Sequence, residues 1–149
     1  MTARFLGFFA GGVAAGALIT VQSVLNAVLG KRAGNLGSVL VLTVVSIAVL
    51  VPMVLLFPAT ANFQRLPGIS EWYLYAGGVL GIVILAAPIV LVPRIGATAT
   101  VTALVVGQLV LAIVVDRIGV FGFPRVDITA AKLVGLVLLI AGTILLVRR

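Results

Sequence analysis

The chain contains no cysteine and no histidine, and its only acidic residues are Glu71, Asp116 and Asp127. The first absence removes disulfides, thiolate chemistry and cysteine metal sites, and the second removes the commonest transition-metal ligand. No metal site and no cofactor are expected. Charge of either sign is scarce. Only 9% of residues are charged and 63% are hydrophobic, whereas soluble domains run at about 25% and roughly 45–50%. A chain of this kind needs a solvent other than water, and the bilayer is that solvent. Its 149 residues allow one domain at most. Little remains outside the apolar runs from which an enzyme could be built, so no enzymatic activity is expected.

What charge there is has a sign. Ten Lys/Arg give a net charge of +7, which in a soluble protein would suggest nucleic acid. Here the basic residues stand singly or in pairs at the ends of apolar runs, where they can snorkel to headgroups. No basic patch forms, and nucleic acid is not an expected partner.

Apolar stretches long enough to cross about 30 Å of hydrocarbon as helix number five, at about 5–29, 39–57, 73–92, 96–115 and 130–147. The separators are turn-rich: Gly30 to Asn35, Pro58 to Trp72, Pro93-Arg94, and Asp116 to Thr129 with Gly119, Gly122 and Pro124. Open-chain segments satisfy their backbone in lipid only as helices, so the expected fold is all-α, a single polytopic transmembrane domain. The first run continues too far, with four more behind it, to be a cleaved secretory signal. Trp72, Tyr73 and Tyr75 read as an interfacial belt.

Five spans put the termini on opposite sides, and the basic residues should decide which side is cytoplasmic. They do not decide it. One face collects Arg4, Arg65, Arg117, Arg125 and Lys132, and the other Lys31, Arg32, Arg94, Arg148 and Arg149. A balanced signal lets the chain insert both ways, and two opposed copies would pair as an antiparallel homodimer with the inverted symmetry that larger transporters obtain from internal repeats. A weak bias from the amino terminus is the alternative.

Within the spans, the first carries the clearest pattern. At 100° per residue, Ala15, Gly16, Ile19, Thr20, Gln22, Ser23, Asn26, Ala27 and Gly30 fall on one side, opposite a purely apolar face. Lipid offers an amide no partner, so Gln22 and Asn26 should face protein or a wet cavity. They are candidates to bind a solute or to act as interhelical glue. Ser23 can satisfy its hydroxyl on a carbonyl one turn back. In the fourth span Gln108 and Thr102 are further solute-binding candidates. Asp116, beside Arg117, is either an interfacial ion pair or a gate. Gly12, Gly16, Gly77, Gly81, Gly107 and Gly135 are expected to permit close helix packing, with Gly142 beside them. Pro52 and Pro88 are expected kinks, and Thr43 and Ser46 are weak candidates.

No Asp, Glu, Lys or Arg lies well inside a span, Lys132 being near an end. A proton-coupled or cation carrier ordinarily places a carboxylate near the midplane. The expected ligand is therefore neutral, zwitterionic or modestly anionic.

The sequence resembles the YdcZ-like family of five-helix bacterial inner-membrane proteins, within the drug/metabolite transporter superfamily. The residues carrying the resemblance are Gln22-x-x-x-Asn26 with Leu29-Gly30, Gly77-Gly78-x-x-Gly81, Pro93-Arg94-x-Gly96-Ala97, Gly107-Gln108-Leu109, Asp116-x-x-Gly119, Gly135 and Gly142. It implies a multi-pass protein of the inner membrane with dual topology or oppositely oriented pairing. The small multidrug exporters of that superfamily carry a membrane-embedded glutamate that this chain lacks. The expected function is alternating-access transport by an antiparallel homodimer. A passive channel or a structural membrane subunit are the alternatives.

Overall fold

The computed structural model describes residues 2–119 and 124–148. Gly122 of the fourth separator and Arg149 of the terminal pair lie outside the described residues. The fold is all-helical. Among the described residues, five helices are long and apolar enough to cross a membrane: α1 (Ala3–Ala33), α2 (Asn35–Leu56), α3 (Ala76–Ile95), α4 (Ala97–Ile118) and α5 (Ala130–Val147). The chain divides into two compact units, Met1–Pro93 and Arg94–Arg149.

In the first unit α1 packs along α2. The expected turn from Gly30 to Asn35 contracts to one residue. Gly30 to Ala33 stay helical, and Lys31 and Arg32 occupy the last turn of α1, where cations complement the carbonyl end of the helix dipole. Gly34 makes the reversal alone at φ 73°, ψ 166°, a region closed to residues with a Cβ. Its N–H donates to the Gly30 carbonyl and its own carbonyl accepts from the Ser38 N–H, both at 3.0 Å. Ser38 Oγ donates to that same carbonyl and is fully buried.

Residues between α2 and α3 form three short 3-10 turns: Pro58–Thr60, Phe63–Arg65 and Ile69–Tyr75. Trp72, Tyr73 and Tyr75 are exposed on the last, and the Tyr75 hydroxyl donates to the Pro67 carbonyl at 2.8 Å. Pro52 lies inside α2, and Pro88 and Pro93 inside α3. Pro93-Arg94 is thus helix rather than separator.

In the second unit α4 begins after Gly96, which has φ 84°, ψ 163°. The local design matches the first turn: the Gly96 carbonyl accepts from Thr100 N–H at 3.1 Å and from Thr100 Oγ1 at 2.8 Å, and Thr100 is fully buried. Helix α4 packs along α5. It runs one turn further than its apolar run, through Arg117 and Ile118, and stops at Gly119 in the left-handed region. Thr129 caps α5 by accepting from the Lys132 N–H at 3.3 Å.

Candidate functional site

Most side chains on these helices are exposed, as expected of surfaces meant for lipid or another protein. The exceptions in the first unit gather on three helices: Ser23, Asn26 and Ala27 of α1, Ser38 and Val39 of α2, and Pro88 and Ile89 of α3. Ile89 of α3 reaches the backbone of α1 at Gly30. A Cβ on Gly30 would overlap Cγ2 of Ile89 and stand 3.6 Å from Ser38 Oγ.

Three of the seven buried residues are polar, and two of these are satisfied locally. Ser23 Oγ donates to the Ile19 carbonyl at 2.8 Å, as its type and position suggested, and Ser38 Oγ to Gly34. Asn26 differs. It is 2% exposed, yet its amide is joined to no other described residue by a hydrogen bond. No side-chain nitrogen or oxygen among the described residues is both fully sealed and unpartnered, so the Asn26 amide is not wholly cut off from its surroundings. A buried amide ordinarily finds a partner.

Gln22, one turn earlier, is exposed. At 100° per residue the buried stripe of Ser23, Asn26, Ala27 and Gly30 is centred roughly 90° from Gln22, enough to place it outside. The two amides expected on one face are thus separated: Asn26 is buried, as are Ser23 and Ser38, and Gln22 is exposed. Ser38 was not singled out in the sequence. Its signal is the spacing Gly34-x-x-x-Ser38, repeated as Gly96-x-x-x-Thr100.

In the second unit Gln108 is exposed and Thr102 half-buried. The Thr102 hydroxyl donates to the Thr98 carbonyl. Thr43 and Ser46 of α2 likewise donate to Val39 and Leu42, each at 2.9 Å. The candidate hydroxyls are thus turned to their own helices, and the span amides Gln22, Asn26 and Gln108 keep free hydrogen-bonding capacity.

Asp116 pairs with Lys132 across α4 and α5, Oδ2 to Nζ at 3.5 Å, and not with its neighbour Arg117. Arg117 turns instead to Asp127, at 2.6 Å. The Asp116 carbonyl accepts from Val126 N–H at 2.8 Å, and Arg125 Nε donates to the Ile118 carbonyl at 3.1 Å. The segment after α4 is tied back to that helix end.

Gly12, Gly16, Gly77, Gly81, Gly107, Gly135 and Gly142 have open space where a Cβ would stand, so none makes its close approach within the described chain. The approach is made at Gly30, which the sequence had marked as a turn. Glycine spacing reports which helix faces are smooth, and it says nothing of which smooth face a neighbour takes.

A family model described as "Putative inner membrane exporter, YdcZ" matches residues 7–145. No curated protein and no solved structure matches the chain.

Proposed function

Since the chain belongs to the YdcZ family of inner-membrane proteins, we propose that it carries a small neutral, zwitterionic or modestly anionic solute by alternating access, as an antiparallel homodimer. Asn26 contacts the solute. The observation that carries this reading is the Asn26 amide, almost wholly enclosed yet without a protein partner among the described residues. An amide serving as interhelical glue would be bonded to a neighbouring helix. One left unbonded keeps its hydrogen-bonding capacity for a ligand.

The homodimer is supported by the other two amides and by charge. Gln22 and Gln108 lie near the middles of α1 and α4 and are exposed on the single chain. Facing hydrocarbon, each would cost several kcal/mol, so protein or a wet cavity must cover them. The open faces at Gly12 and Gly16 would admit a second copy closely. The five-to-five division of Lys/Arg suits two opposed orientations, and opposed copies supply equivalent half-sites that exchange when the opening flips. The substrate class follows from the span interiors, which hold amides and hydroxyls but no charge.

The test is efflux from proteoliposomes loaded with labelled zwitterionic amino acids and neutral sugars. Saturable, exchange-stimulated efflux is expected, and Asn26→Leu should abolish it while leaving cross-linked dimer yield and thermal midpoint unchanged. Non-saturating flux would mean a channel. A fall in midpoint with flux retained would mean that Asn26 only packs.

A further inference from the structure

Two grooves run between α4 and α5. One, of about 450 Å³, is lined by Ile95, Ala99, Ala103, Thr143, Ile144 and Val147 with Arg148 at its edge. The other, of about 410 Å³, runs along Leu109, Ala112 and Ile113 of α4 and Gly135, Leu136 and Leu139 of α5. At its mouth stand Asp116 and Lys132. From that pair to Leu109 and Leu139 is seven residues on each helix, so the groove reaches about 10 Å along the helices. That is most of the depth of one leaflet, given a hydrocarbon core of about 30 Å.

We infer that this second groove binds phosphatidylethanolamine, with one acyl chain along the groove, the phosphate on Lys132 and the primary ammonium on Asp116. The mouth is a dipole of fixed sense. Lys132 and Asp116 are 3.5 Å apart and only half to two-thirds shielded, a looser contact than the 2.7–2.9 Å of a charge-assisted hydrogen bond. Each keeps capacity: the ammonium has two further donors and the carboxylate a second oxygen. The nearby charges are already placed, Arg117 on Asp127 and Arg125 on the Ile118 carbonyl. A headgroup carrying a phosphate and an ammonium a few ångströms apart meets both members of the pair at once. A phosphatidylglycerol headgroup would engage the lysine and leave the aspartate facing a like charge, and a choline headgroup cannot donate to the carboxylate. Gly135 opens the groove floor, since no atom stands within 4 Å of a Cβ built there.

The first groove is the internal control. It has a cation at its edge and no carboxylate in its lining, so it offers no basis for telling ethanolamine from choline.

The test is native mass spectrometry of the full-length protein from micelles doped with equal amounts of palmitoyl-oleoyl phosphatidylethanolamine, phosphatidylcholine and phosphatidylglycerol. The ethanolamine lipid is expected to be retained over the choline lipid by roughly tenfold, or about 1.4 kcal/mol. Asp116→Asn should bring the two level, Lys132→Gln should weaken retention of both, and Arg148→Gln should leave their ratio unchanged. Equal retention by the wild-type protein, preference for phosphatidylglycerol, or a ratio insensitive to Asp116→Asn would overturn the assignment. The wild-type ratio alone decides the matter if a variant fails to fold.

Discussion

Gly30 of α1 and Ile89 of α3 touch so closely that a single added methyl on the glycine would occupy the space of the isoleucine Cγ2. Gly30→Ala should therefore destabilise the protein by about 1–3 kcal/mol, the usual range for overpacking. Adding Ile89→Leu, which removes Cγ2, should recover part of that loss. Thermal unfolding of the two single variants and the double variant in detergent measures the coupling, and strict additivity would mean that the contact is not made.

The turn at Gly34 makes an opposite pair of expectations. Gly34→Ala places a Cβ at φ 73° and should cost about 1–2 kcal/mol. Gly37→Ala meets only the Ala33 Cβ at 3.7 Å, inside a helix where alanine is favoured over glycine by about 1 kcal/mol. It should be neutral or stabilising. Thermal unfolding of the two variants, three residues apart, should show a lowered midpoint for Gly34→Ala and an unchanged or raised one for Gly37→Ala.

Orientation can be forced. Asn62→Lys with Gln64→Lys adds two cations on one face, and Asn35→Lys with Leu36→Lys adds two on the other. Each pair should fix insertion in one sense, read by labelling Thr2→Cys from either side in this natively cysteine-free chain. Each biased protein alone should lose transport and the two co-expressed should regain it. Full activity from either one alone would rule out antiparallel pairing.

The Arg117–Asp127 pair should matter little to stability. Its side chains are 59% and 89% exposed, and such pairs contribute about 0–1 kcal/mol. Asp127→Asn should shift the unfolding free energy by less than about 1 kcal/mol, in contrast to Gly30→Ala. A larger loss would show that the tie holds the segment after α4 in place.

Much of this architecture was legible because hydrocarbon imposes simple demands. Five long apolar runs became five helices, since lipid leaves backbone groups no other arrangement. Helix ends were less legible. Lys31, Arg32, Arg94 and Arg117 look like separators by hydropathy, yet their flexible stems let the helix continue while the charge reaches water. What halts the chain is a glycine at positive φ: Gly34, Gly96 and Gly119. The stripe on α1 was legible as a stripe, and Asn26 lies in it. Which edge faces the neighbouring helices was not, because that angle depends on contacts between distant residues, such as Gly30 against Ile89, 59 positions apart. Asp116 was visible as a lone acid, but its partner Lys132 comes from another helix, and spacing along the chain favoured Arg117.

The reversal at Gly34 bears on biogenesis. A connection one residue long leaves no slack between the first two helices, so they are expected to enter the bilayer as one folded pin rather than in succession. The orientation of the two helices is then a single choice, and Lys31 and Arg32 stand at the tip of the pin. A few residues of spacer inserted there would let each segment be sorted separately, and copies with one segment stranded would be the expected by-product.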